Sequence, residues 1–221
     1  MKYDFIAIGD TTTDAFIRLE QASVHCKLDH ERCEICMPYG EKIPYESVTV
    51  VPAVGNSANA AVAASRLGLM SALVANIGDD YFGEEALSAL KAERVGTEFI
   101  TTHKGLTTNY HYVLWYEAER TILIKHEKYP YALPDFDSPA WVYLSSLGEN
   151  SGDMHGMIED FLKRHSSIKL VFQPGTFQIK AGKERMAYFY ARAEVFICNK
   201  EESQRILQSE EGDIKKLLVA M

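Results

Sequence analysis

The sequence has no apolar run approaching the roughly 20 residues that a membrane-spanning helix needs. It also has no cleavable leader: Met1-Lys2-Tyr3-Asp4-Phe5-Ile6 carries an acid inside a short apolar pattern, with no small-residue cleavage site. Both absences point to a cytoplasmic protein with no membrane partner. Positive charge is scarce, with 23 Lys and Arg against 31 Asp and Glu and a formal net charge of -8. No basic block exceeds two adjacent residues, as at Lys215-Lys216. Polyanionic backbones are bound by clustered cations, so a nucleic-acid partner is excluded. Cysteine is sparse too, at 4 in 221 residues, too few for a disulfide scaffold in a chain of this length without an export signal. Cys26, Cys33 and Cys36 fall close together, between His25 and His30 and just beyond them. The Cys33–Cys36 spacing suits two ligands of a structural zinc ion, and the alternative is a set of reduced thiols in a loop.

What is present is a soluble composition, 47% hydrophobic and 24% charged, arranged as short apolar runs alternating with helical stretches. Strands are predicted at Tyr3–Ile8, Ser71–Ile77, Trp141–Ser145, Lys169–Phe172 and Glu194–Cys198. Helices are predicted near Ser57–Leu67, Phe82–Glu93, Asp153–His165, Gly182–Ala191 and Lys200–Gln208. Such alternation builds an α/β fold, a Rossmann-like three-layer sandwich with a mostly parallel sheet covered on both faces. Ligands then sit outside the carboxyl ends of the strands. Two segments break the rhythm. Residues 16–51 show little helical period and end in a strand over Ile43–Val50, while 107–126 read as a hairpin turning at Glu117–Arg120. They predict a small β-sheet lid packed over a cleft or a partner, against the simpler reading of an extra edge on the main sheet. The core is then 1–15, 52–106 and 127–221.

Three constellations carry chemistry. Gly9-Asp10-Thr11-Thr12-Thr13-Asp14 follows the first strand, and an ionised Asp14 can hold two neighbouring hydroxyls, or else merely cap a turn. Val54-Gly55-Asn56-Ser57-Ala58-Asn59 opens an alanine-rich helix. Gly55 permits a close backbone approach, Asn56 or Ser57 suits the N-cap, and the Asn59 amide can donate and accept. Asn199-Lys200-Glu201-Glu202 follows the last strand, where an amide and a carboxylate three apart suit either a hydrated magnesium ion or a capping box. The cluster Gly78-Asp79-Asp80-Tyr81-Phe82-Gly83 reads as a turn and helix cap.

The order GxxxxD, GNxAN, GDDxFG, a hairpin and NxxE resembles the PfkB, or ribokinase-like, carbohydrate kinase family across essentially the whole chain. Val54 stands where that family usually has a second glycine. The resemblance implies ATP-dependent phosphorylation of a hydroxyl on a sugar, nucleoside or related polyol. Asp14, Gly55, Asn56 and Asn59, with Thr12 as a weaker candidate, would bind that small-molecule substrate. Asn199 and Glu202 would organise Mg2+ and the phosphates of ATP, and the lid would close over substrate and in some members form a homodimer. The family's DTxGAGD loop, with its catalytic base, does not occur in the sequence. The resemblance therefore implies a chain truncated at the C-terminus, with the base beyond Met221, an exposed sheet edge and no turnover by itself. The alternative function is a non-catalytic sugar- or nucleotide-binding remnant of the same fold.

Overall fold

In the computed structural model, which describes residues 2–26 and 33–221, the chain opens with β1 (Phe5–Ile8), β2 (Thr12–Leu19), β3 (Ser23–Cys26), β4 (Cys33–Cys36) and β5 (Tyr45–Val54). Next come α1 (Asn56–Arg66), β6 (Ser71–Gly78), α2 (Tyr81–Ala92), β7 (Ile100–His103), β8 (Tyr110–Tyr116) and β9 (Glu119–Leu123). The remainder is β10 (Trp141–Leu144), α3 (Gly152–Arg164), β11 (Lys169–Phe172), α4 (Thr176–Ala181), α5 (Ala187–Arg192), β12 (Val195–Phe196), α6 (Lys200–Leu207) and α7 (Ile214–Ala220). None of these helices is long and apolar enough to cross a membrane.

Six strands form one sheet in the order β12-β11-β10-β1-β6-β7, and every pairing is parallel. Successive side chains leave opposite faces of a strand, so β1 feeds two cores. Ile6 and Ile8 join Val142, Leu144, Leu170 and Phe172 against Met154, Ile158 and Leu162 of α3 and Phe189 of α5. Ala7 joins Leu73 and Ala75 on the other face, against Ala58 and Ala61 of α1 and Ala86 and Leu90 of α2. Alanine on both sides of that second interface lets α1 lie close to the sheet. The result is the three-layer α/β architecture expected from the alternation. The chain builds outward from β1 to β6 and β7, then returns to add β10, β11 and β12 on the other flank. The loops leaving β1 and β10 therefore diverge, and a crevice opens between them.

A second sheet has the order β5-β2-β8-β9. β2 leaves the core three residues after β1, pairs antiparallel with β5 and parallel with β8, and β8 and β9 form the predicted hairpin. The β2–β5 ladder loses register between Thr12 and Asp14. Pro52, which has no N–H to donate, and Ala53, at φ 54, occupy that bulge. A bulge of this kind bends the strand and re-aims its end, here towards the start of α1.

Several local expectations change. The predicted helix over 182–191 starts only at Ala187, because Gly182, at φ 94, ends α4 instead. Strands β2, β3, β4 and β7 and helices α4 and α7 are additional elements that the sequence pattern did not mark. Gly55, not Asn56 or Ser57, is the N-cap of α1. Its φ of 104 turns β5 directly into the helix, a conformation that suits glycine. The Ser57 hydroxyl donates instead to the Asp10 carbonyl at 2.9 Å. Cys26 and Cys33, opposite one another on β3 and β4, are joined in a disulfide, while Cys36 is free. Neither reduced thiols nor a three-cysteine zinc site describes this arrangement. Among the described residues no group of three or more His, Cys, Asp or Glu could hold a metal ion. His30 lies outside the described residues.

The 78–83 turn behaves as the sequence implies. Asp80 caps α2 by accepting from the Gly83 amide at 3.0 Å, and also accepts from the Thr108 amide and hydroxyl at 3.0 and 2.6 Å. Burial opposes its charge, but the hydrogen bonds from Thr108 and Gly83 prevail and hold its pKa below the usual carboxylate value. Asp80→Ala is expected to lower unfolding free energy by about 2 kcal/mol at neutral pH. A group whose folded pKa is depressed stabilises above its unfolded pKa, about 4, and loses that contribution as pH falls through the folded value. Denaturant melts of wild type and variant should therefore converge below pH ~4, and a gap that stays constant on acidification would contradict the role.

Candidate functional site

The crevice between the loops after β1 and β10 is roofed by the inner face of the four-stranded sheet, enclosing a cavity of about 460 Å³. That size is within the range of small-molecule sites. The floor is Asp10, Thr11, Ser146 and Leu147, with Thr176 and Phe177 from the start of α4. One wall is Gly55, Asn56 and Asn59 at the start of α1. The roof follows from register. Asp14 on β2 stands opposite His111 on β8, and Phe16 opposite Val113, which in turn faces Ile122 on β9. Residues opposite one another share a face, and all five line the cavity. Asp14 and Asn59, more than forty positions apart in sequence, thus meet around one hollow.

The two sheets are joined by Asn109, which is buried. Its amide donates to the Thr11 carbonyl at 3.2 Å and its side-chain oxygen accepts from the Glu127 amide at 2.7 Å. Its carbonyl accepts from the Thr13 amide at 3.0 Å and from the Thr12 hydroxyl at 3.0 Å. One residue therefore fastens the start of β2, the start of β8 and the return from β9. Thr12 lines the cavity, but its hydroxyl proton is committed to this hinge. At Gly78 the hinge comes so close that an added Cβ would lie 2.3 Å from the Leu106 carbonyl oxygen.

Asp10 carries the most buried carboxylate of the floor, its side chain 5% exposed. The Tyr131 hydroxyl donates to it at 2.8 Å and accepts from the Gly148 amide at 3.0 Å. Burial, then the neighbouring Asp10 charge and the hydrogen bond to it, push the Tyr131 hydroxyl far above the ordinary phenol range. Tyr131 thus remains a neutral donor. His126 Nδ1 lies 3.5 Å from the other Asp10 oxygen, and its ring meets Phe177 edge-on at 5.6 Å. His155, whose pKa burial holds down, bonds the Ser151 carbonyl and faces Gln178. Gln178 donates to the Ser145 carbonyl and accepts from the Gly175 amide, both at 2.7 Å. This buried network holds the loop after β10 that carries Ser146 and the start of α4 that carries Phe177.

Asn199 and Glu202 do not line the cavity. They form a reciprocal capping box on α6, the Asn199 side chain accepting from the Glu202 amide at 2.7 Å and Glu202 from the Asn199 amide at 2.9 Å. They follow β12, at the same carboxyl-end rim as the cavity but beyond β11. Sequence reasoning missed Asp10, Asn109, His111, His126, Tyr131 and Phe177 as parts of the site. Asp10 and His111 stood inside segments already singled out, but only the pairing of β2 with β8 makes His111 a neighbour of Asp14. Tyr131→Phe is expected to cost about 2 kcal/mol in a denaturant melt, because a buried carboxylate loses its hydroxyl donor. A variant as stable as wild type would show that Asp10 does not depend on Tyr131.

The profile described as pfkB family carbohydrate kinase matches residues 21–221. Among curated proteins, the ribokinase of Bacillus subtilis (strain 168) is 33% identical over 85 residues, which are 38% of this chain and 29% of that protein. Among solved structures, the Arabidopsis thaliana ribokinase complexed with ribose and ATP superposes with a TM-score of 0.73 at 15% identity, covering 100% of this chain and 67% of that one. The Methanocaldococcus jannaschii nucleoside kinase gives 0.69 at 16% identity, covering 99% and 68%. The Giardia lamblia ribokinase gives 0.73 at 16%, covering 99% and 64%. At these identities the superpositions establish the fold. The chain spans about two thirds of the length of the solved structures it resembles, and the stretch aligned with the Bacillus subtilis ribokinase is under a third of that protein.

Proposed function

Because this chain belongs to the pfkB family of carbohydrate kinases, we propose that its cavity binds the hydroxyl acceptor, a sugar, nucleoside or related polyol, for ATP-dependent phosphorylation. The observation that carries this reading is the convergence of Asp14, Gly55, Asn56 and Asn59 on one hollow. Asp14 accepts from acceptor hydroxyls, the Asn56 and Asn59 amides donate and accept, and Gly55 lets the acceptor approach the backbone. Thr12 serves the hinge more than the acceptor. Two similar structures, the Arabidopsis thaliana ribokinase complexed with ribose and ATP and the Cryptococcus neoformans ribokinase in complex with ADP, support a nucleotide as the phosphate donor.

Asn199 and Glu202 are the residues proposed to face the phosphates and a magnesium ion. An exposed carboxylate that uses one oxygen for capping keeps lone pairs for a hydrated cation, so the donor set fits. Magnesium would supply charge neutralisation on the phosphate oxygens. The chain is proposed as the acceptor-binding part of a kinase whose proton-accepting base is not among its 221 residues. The reading includes a homodimer through the outer face of the four-stranded sheet. Val50, Tyr112 and Leu123 lie in register there and are each about half exposed.

Calorimetric titration with D-ribose, D-fructose and adenosine tests the reading. At least one should bind saturably, without ADP release from added ATP, and Asp14→Ala should weaken it at least about tenfold while the melting curve is unchanged. No binding by any of the three would sink the acceptor site, whereas ATP turnover by these 221 residues would put the base within them. For the dimer, sedimentation of Val50→Lys should shift to the monomer. An unchanged assembly state would remove that face from the interface.

A further inference from the structure

The ribbon of β3 and β4 has little to hold it together besides one covalent bond. Among the described residues the two strands pair only with each other. All four residues of β3 are exposed, as are Cys33 and Glu34 of β4, and neither strand contributes to either core. Val24 opposite Ile35 is the one apolar cross-strand pair, and Val24 is itself 47% exposed. An isolated two-stranded hairpin is marginal in water, because it buries too little to offset the entropy of ordering it. The Cys26–Cys33 disulfide is therefore what keeps the ribbon closed. Both cysteines are exposed, so the bond is open to attack by a dissolved thiolate, and exposed disulfides are the labile, regulatory ones. Cys36 stands three positions beyond Cys33 on the same strand. An odd spacing sends its side chain to the opposite face, away from the pair.

We propose that the Cys26–Cys33 pair is a redox modification site, a clasp opened by dithiol reductants: its reduction frees the β3–β4 ribbon at the edge of the lid and leaves the six-stranded core intact. One thiolate of the dithiol attacks a clasp sulfur, forming a mixed disulfide and expelling the other cysteine as a thiolate. The second thiol of the reductant then displaces the first cysteine, so the clasp gains two electrons and two protons and the reductant leaves as its own disulfide. The β2–β5 ladder ends where Leu19 stands opposite Tyr45, and the ribbon lies wholly beyond that pair. None of its residues lines the cavity. Opening the clasp therefore changes an arm of the lid without removing a wall of the site, and the proposal stands apart from what the cavity binds.

The test uses the 221-residue chain, equilibrated without denaturant either in an oxidising glutathione buffer or with dithiothreitol, then alkylated and peptide-mapped. Cys26 should be found joined to Cys33 in the first sample, and both should be alkylated in the second. A Glu-specific protease should cut after Glu34 at least about tenfold faster in the reduced sample. The melting midpoint of the remainder should move by no more than about 2 °C. Cys26→Ser combined with Cys33→Ser should be cut at the reduced rate in either buffer, whereas Cys36→Ser should respond to reduction as wild type does. The proposal is overturned if Cys26 and Cys33 stay unjoined in the oxidising buffer, if the pair reduces only in denaturant, or if cleavage after Glu34 ignores reduction. Loss of the cooperative melt on reduction also overturns it, because the bond would then hold the core rather than the arm.

Discussion

The two sheets form one enclosure only because Asn109 is buried where three chain crossings meet. A buried amide must satisfy both its donor and its acceptor, and here they go to Thr11, at the start of the lid, and to Glu127, on the way out of it. That requirement fixes the tilt of the four-stranded sheet over the crevice. The cavity inherits its volume from that tilt. The roof residues acquire their meaning from what lies opposite.

The floor is electrostatically expensive. Asp10 is almost wholly buried, supported by one neutral hydroxyl from Tyr131 and an imidazole at hydrogen-bonding distance's edge. A fold maximising stability would place an apolar residue there. Around it the backbone is unusually close-packed: a Cβ on Gly148 would lie 2.6 Å from the Tyr131 hydroxyl, and one on Gly55 would lie 3.1 Å from the Asp10 carbonyl.

The layered architecture was legible because buried parallel strands read as continuous apolar runs and α1 as an alanine-rich one. Tyr3–Ile8, Ser71–Ile77, Trp141–Ser145 and Lys169–Phe172 become β1, β6, β10 and β11 nearly as predicted. Asp14 and Asn59 were legible as candidates through their local settings and through the resemblance of the motif order to a kinase family. The helix over 182–191 was misplaced because a glycine at positive φ ends one helix where the pattern suggested the start of another. The cysteines were misread because their pairing depends on β3 and β4 lying opposite one another. Asn199 and Glu202 had two readings, and their geometry is that of a capping box, with the phosphate role remaining a proposal.

The sequence by itself determined the α/β class, the parallel order of elements, the family and the two segments that supply Asp14 and Asn59. These depend on local patterns of hydrophobicity and on residues within one helix or turn, so they can be read along the chain. Tertiary structure alone decided that His111 faces Asp14, that Tyr131 supports Asp10 and that Asn109 closes the hinge. Those contacts join residues about 100 positions apart, and only strand pairing and the burial of polar groups choose such partners.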